Sequence, residues 1–208
     1  MENYQAFLER VQSIVTAMGY HIEMRLTDET YVFSIYDNET RACYMQIGKS
    51  TGNIIVGKTR HSKTELEDLD IFIVSWISTE TPYKGKGLAL LLLIYGICYL
   101  KEQFPDINYV TLDDDSDRND KILKNIYDSL GFVFKDNIAI DISGTKKLKL
   151  STPDKQLLLD DEFIRRANYI LNEKFGRNGG KRKGRKTRKN KKTKKPIKNK
   201  KTKKSRKN

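Results

Sequence analysis

Cysteine and histidine are scarce in this chain, with two of each in 208 residues. Cys43 and Cys98 build no disulfide framework, and His21 and His61 are too isolated to suggest zinc. A reducing, intracellular compartment and no metal are therefore expected. Long apolar runs are missing too. The longest, residues 88–100, spans about 13 residues and contains Gly96, where a membrane span needs about 20. It reads as a buried helix, with no membrane partner. The opening Met1-Glu2-Asn3-Tyr4 lacks the basic and apolar regions of a secretory signal, so secretion is not expected.

The last 32 residues lack acid altogether. Residues 177–208 hold 19 Lys and Arg, no Asp or Glu, no aromatic, and Ile197 as their one aliphatic side chain. The formal net charge of +13 is thus an average over two unlike parts. Residues 1–176 carry 21 basic and 27 acidic side chains, a net of −6, and are about 44% hydrophobic. One globular domain over 1–176, with a disordered polybasic tail over 177–208, is the expectation.

Within the domain the hydrophobic period changes along the chain. Tyr4, Phe7, Leu8, Val11, Ile14, Val15 and Met18 recur at helical spacing over 4–18, stopped by Gly19. Short β-forming stretches at 22–26, 31–36, 41–47 and 53–56 follow, with turn chemistry between them, the last at Ser50-Thr51-Gly52. A polar loop at 58–68 leads to Ile71-Phe72-Ile73-Val74-Ser75-Trp76-Ile77, a run typical of a central strand covered on both faces. Then come a long apolar helix at 87–104, a strand at 109–112, a helix at about 119–130, and strands at 132–134, 138–142 and 147–150. Thr152 and Pro153 read as the cap and first residue of a final helix over about 153–175. The order predicts a mixed α/β sheet in one domain.

The chemistry concentrates between the central strand and the apolar helix, at Ser78-Thr79-Glu80-Thr81-Pro82-Tyr83-Lys84-Gly85-Lys86-Gly87-Leu88-Ala89. Two glycines permit unusual dihedrals and close approach of a ligand. The first-turn amides of the helix lack intrahelical partners, and the helix dipole points its positive end there. A diphosphate fits such a place, and Lys84 and Lys86 add charge at its rim. Neither GxGxxG nor GxxxxGK[ST] is matched, and plain turn chemistry is the competing reading. Further along, Tyr127-Asp128-Ser129-Leu130-Gly131-Phe132 ends the second helix.

Together the two segments resemble the GNAT superfamily of acetyl-coenzyme A-dependent N-acetyltransferases. Lys84, Gly87 and Ala89 stand at the positions of its (Gln/Arg)-x-x-Gly-x-(Gly/Ala) turn, with Lys84 a departure in geometry though not in charge. Tyr127, Leu130, Gly131 and Phe132 match its Tyr-x-x-Leu-Gly-Phe signature. The resemblance is closest over residues 69–135. It implies the acyltransferase fold, acetyl-coenzyme A as co-substrate, and direct attack by an amine in a ternary complex. Backbone groups of Tyr83, Lys84, Gly85, Lys86, Gly87, Leu88 and Ala89 would hold the diphosphate. Trp76, Ile77 and Ser78 would meet the pantetheine arm, and Tyr127 would act as general acid. Tyr127 as a core aromatic is the plainer alternative.

The resemblance implies less about the base. The family often places a Glu on the central strand, where this chain has Ile71. Asp70 and Glu80 are the candidates, His61 a weaker one; each also reads as an ordinary surface residue, and a water chain can serve instead. The family's coenzyme-binding Asn register falls on Asp120, with Asn119 one position away. The acidic stretch 113–117 suits a cationic amine, a protein lysine, an N-terminus or a polyamine, or is a solvated loop. It lacks the Gly and terminal Glu of a calcium loop. The tail suits DNA, RNA or an import receptor through charge alone, so nuclear or nucleic-acid-associated placement is expected. A solvated charge run is the alternative. A degenerate domain that only binds is the rival to the enzyme, and a monomer or a dimer suits either.

Overall fold

The computed structural model describes residues 4–56, 65–113, 126–135 and 154–176. Helix α1, Tyr4–Ala17, ends at Gly19, whose φ of 85° suits glycine. An antiparallel meander follows: β1 (His21–Thr27), β2 (Thr30–Asp37), β3 (Thr40–Val56) and β4 (Glu65–Thr79). Helix α2 spans Leu88–Gln103, β5 Tyr109–Asp113, α3 Ile126–Leu130, β6 Val133–Phe134 and β7 Asp154–Leu158. Helix α4, Asp161–Ile170, runs on through a wider turn, Leu171–Phe175. One seven-stranded sheet has the order β1-β2-β3-β4-β5-β7-β6, with β4 and β5 parallel and every other pair antiparallel. This is the mixed α/β class that the element order predicts.

Alternation sets the core. Phe33 and Ile35, Met45 and Ile47, Phe72 and Val74, Val110 and Leu112 all turn to the face that meets α1, α2 and α4 in one apolar cluster. Leu90 to Ile94, Ile97 and Leu100 are fully buried, which explains why α2 is apolar nearly all round. Gly96 lets α2 lie close to the sheet, because a Cβ there would meet Phe33 at 3.2 Å. Arg10 of α1 donates to Asn168 at 2.9 Å and to Asn172 at 2.6 Å, tying the first helix to the last.

Three expectations are corrected. Ser50-Thr51-Gly52 is no turn: β3 continues through it, opposite Ile71, Asp70 and Leu69 of β4. Gly52 is there for space, since a side chain would collide with Ile71. The strand β4 likewise begins inside the expected 58–68 loop. The final helix does not start at Pro153. Residues 154–158 complete the sheet as β7, with Lys155, Gln156 and Leu157 all buried, and Asp160 caps α4 instead. The end of the long β3–β4 hairpin reaches β7, where the Gln156 amide exchanges two hydrogen bonds with the Ile55 backbone, at 3.2 and 3.1 Å.

The described residues all fall within one compact unit. The expected strands at 138–142 and 147–150, residues 119–125 of the second helix, and the tail 177–208 lie outside the described residues. No described helix is long and apolar enough to cross a membrane.

Candidate functional site

The site grows from a fault in the sheet. Gln46 pairs with Trp76 and Ile47 with Val74, so Ser75 is an extra residue, a bulge in β4. The Ser75 hydroxyl donates to the Gln46 carbonyl at 3.5 Å. On the other side of β4, pairing with β5 ends at Val74 opposite Leu112, while β4 itself runs on to Thr79. From Ser75 onward, one edge of β4 stays on β3 and the other faces the gap where β5 has left. Among the described residues no strand pairs with that second edge.

The exposed stretch of strand leads into the glycine turn. The Glu80 amide donates to the Ala42 carbonyl at 2.9 Å, and Thr81–Tyr83 form one 3-10 turn with Pro82 in its first positions. Gly85 and Gly87 then take φ of 78° and 83°, left-handed values that favour glycine. Gly87 is the N-cap of α2, and no side chain caps the helix. Its first-turn amides therefore point at the turn with the dipole behind them. Leu88 is buried, so only its backbone can serve a ligand, whereas Ala89 is half-buried. A Cβ at Gly85 would meet nothing within 4 Å, which is room for a ligand. At Gly87 it would meet the Phe175 ring at 2.8 Å.

The two lysines of the turn differ. Lys84 is exposed. Lys86 donates to the Tyr20 hydroxyl at 2.8 Å and lies 4.7 Å from the Tyr83 ring centre. The hydrogen bond to Tyr20 raises its pKa above the ordinary lysine value, against a smaller opposing effect of desolvation. Desolvation, then the Asp37 carboxylate, pushes the Tyr83 phenol above its ordinary value. Trp76, opposite Gln46, points to the face away from the helices and is 56% exposed; Ile77 packs toward the core and Ser78 lies opposite Tyr44.

Tyr127 is half-buried in α3, its ring edge-on to Phe132 at 5.9 Å. Lys155 of β7 lies 5.8 Å from its centre and pairs with Asp128 at 2.8 Å. Of the base candidates, Glu80 is exposed at the turn itself. Asp70 is paired with Lys49 at 2.9 Å, five positions before the bulge. At about 3.3 Å per residue this puts it roughly 16 Å along the strand from Ser75. His61, Asn119, Asp120 and residues 114–117 lie outside the described residues. Among the described residues no His, Cys, Asp and Glu cluster could hold a metal ion. Cys43 and Cys98 are buried thiols; burial pushes both pKa values up, with a Thr79 hydrogen bond opposing the shift at Cys43.

Sequence reasoning missed three neighbours of the site: Phe175 against Gly87, Tyr20 beside Lys86, and Lys155 beside Tyr127. Each joins segments far apart in the chain, and no local pattern signals such contacts. Lys155 was further hidden by the strong helix-start signal just before it.

No protein-family model matches the chain, and no curated protein matches it significantly. Solved structures align over part of it. A bacterial toxin is 14% identical, with a TM-score of 0.46, covering 66% of this chain and 72% of its own. The AtaTR structure with bound AcCoA is 8% identical, with a TM-score of 0.45 and coverages of 66% and 74%. The ribosomal-protein-S18-alanine N-acetyltransferase of Escherichia coli is 16% identical, with a TM-score of 0.41 and coverages of 74% and 88%.

Proposed function

We propose that residues 1–176 bind acetyl-coenzyme A and transfer its acetyl group to a primary amine, as members of the GNAT superfamily do. One observation carries the reading. The strand edge freed at Val74 and the two left-handed glycines at an uncapped helix end follow one another without interruption. A pantetheine arm carries amides that pair with a strand edge, and a diphosphate accepts from backbone N–H groups. The residues present fit both parts, with open space at Gly85. Amides within 83–89 would hold the diphosphate, Lys84 and Lys86 would add charge, and Trp76 to Ser78 would offer the strand edge.

In the reaction the deprotonated amine attacks the thioester carbonyl. The C–S bond breaks, the sulfur takes the proton of the Tyr127 phenol, and the amine's surplus proton leaves to water. Glu80, exposed where the strand enters the turn, is the candidate for that last transfer; Asp70, held on the hairpin by Lys49, is a poorer choice. Asp113 ends β5, and Asp114, Asp115 and Asp117 follow it in sequence, a grouping suited to a cationic acceptor such as a lysine side chain, an N-terminus or a polyamine. The tail would hold the enzyme on a polyanion. A second reading, binding without turnover, draws on the absence of a carboxylate within Ile71–Val74.

Calorimetry with acetyl-coenzyme A tests the first step, and absence of heat at near-millimolar ligand would sink the enzyme. Release of free thiol with a panel of amines tests the second; binding without release favours the second reading. Tyr127→Phe should lower kcat by about a hundredfold while leaving coenzyme affinity near its original value.

A further inference from the structure

Lys155 is 1% exposed on an inner strand of the sheet, a place lysine seldom occupies. Its position in the sheet is specific. Ile47, Val74, Leu112, Lys155 and Phe134 form one continuous rung across β3, β4, β5, β7 and β6. It is the last rung on which β4 and β5 still pair. With strands about 4.8 Å apart, the backbone of Lys155 stands roughly 10 Å from Val74, at the mouth of the split. Its side chain leaves the sheet on the helix face. The ammonium lies 2.8 Å from the Asp128 carboxylate, 4.3 Å from the Phe134 ring centre and 5.8 Å from that of Tyr127.

An ion pair does not by itself explain the residue. Desolvating an ammonium is costly, and the Asp128 side chain is 46% exposed, so its charge is largely screened by water. What the arrangement does achieve is a fixed positive charge beside a phenol at the split. We propose that Lys155 is a positioning residue for Tyr127. Its ammonium holds the phenol ring in place and steadies the phenolate left when Tyr127 protonates the departing thiolate. The proposal rests on the acetyl-transfer reading above. The step balances: the C–S bond breaks, the thiolate takes the phenol proton, and the phenolate is reprotonated by water before the next turnover. Lys155 keeps its protons throughout.

Other charges pack around α3. Asp128 lies on the helix itself, and Lys135 is buried just after β6. Arg166 of α4 lies against Gly131 and is paired with Glu162 at 2.6 Å. The Lys155 ammonium lies 5.8 Å from the Tyr127 ring centre.

The test is a titration of Tyr127 in the full chain, with tyrosine labelled at the ring carbon bearing the hydroxyl. The Tyr127 signal is identified by its loss in Tyr127→Phe. An opposite charge within about 4–6 Å of a phenol oxygen lowers its midpoint by about one unit. Lys155→Met should therefore raise the midpoint by about that much, and Lys155→Arg should leave it near the original. An unmoved midpoint in Lys155→Met, or an equal rise in Lys155→Arg, overturns the proposal. If Lys155→Met does not fold, Lys155→Gln, which keeps a polar group toward Asp128, replaces it with the same expected rise, and an unmoved midpoint overturns the proposal. Turnover separates the two claims. Lys155→Met should lose about tenfold or more in kcat with acetyl-coenzyme A affinity changed less than about threefold. A wild-type chain that binds no acetyl-coenzyme A sinks the acetyl-transfer reading; an unmoved Tyr127 midpoint sinks the role of Lys155.

Discussion

Gly85 and Gly87 hold nearly the same φ, yet they answer to different constraints. A side chain at either position pays the left-handed penalty of about 1–2 kcal/mol. At Gly85 nothing stands in its way, whereas at Gly87 the Phe175 ring does. Overpacking adds about 1–3 kcal/mol to the second substitution. Gly87→Ala should therefore lower the melting temperature clearly more than Gly85→Ala, and adding Phe175→Ala should recover part of the excess. Equal losses from the two alanines, or no coupling in the double-mutant cycle, would contradict the contact. The glycine pair was legible in the sequence because its chemistry is local. The ring that covers Gly87 was not, because it comes from the far end of the domain.

Helix α4 shows how two sound local signals compete. Thr152 and Pro153 form a good helix start, but β5 needs a partner, and residues 154–158 supply one. The helix begins only after Asp160, whose side chain accepts from the amides of Glu162 and Phe163 at 3.0 and 3.1 Å. Asp160→Ala should cost about 1 kcal/mol in chemical denaturation, and Asp160→Asn much less. Hydrogen bonds from Arg166 and then Arg165 hold the Glu162 carboxyl below the usual carboxylate range. Its folded-state pKa is thus depressed, so its contribution is complete above that range and is lost as pH falls through the lowered value. Glu162→Gln should flatten the fall in melting temperature between about pH 6 and about pH 3; an unchanged slope would show the carboxylate to be a bystander. The strand pattern was read correctly where an unbroken apolar run marks a strand covered on both faces, as at Ile71–Val74. It failed at Gly52, where glycine serves side-chain clearance rather than a turn.

At the scale of the whole molecule, charge divides the chain more sharply than any fold boundary. A domain of net −6 repels polyanions, so the 19 cations of residues 177–208 must account for any affinity toward them. Deleting 177–208 should abolish salt-sensitive DNA binding and leave coenzyme binding intact. Unchanged DNA affinity, measured at more than one salt concentration, would relocate that function to the domain. The two ends of the domain also meet. Arg10 reaches Asn168 and Asn172, and the Phe175 ring rests on Gly87. A chain synthesised from its N-terminus carries the glycine turn long before the ring that flanks it. Nascent or prematurely terminated products ending before α4 would possess the motif without its supporting wall. Chain order thus leaves the glycine turn without its flanking ring until translation of the domain is complete.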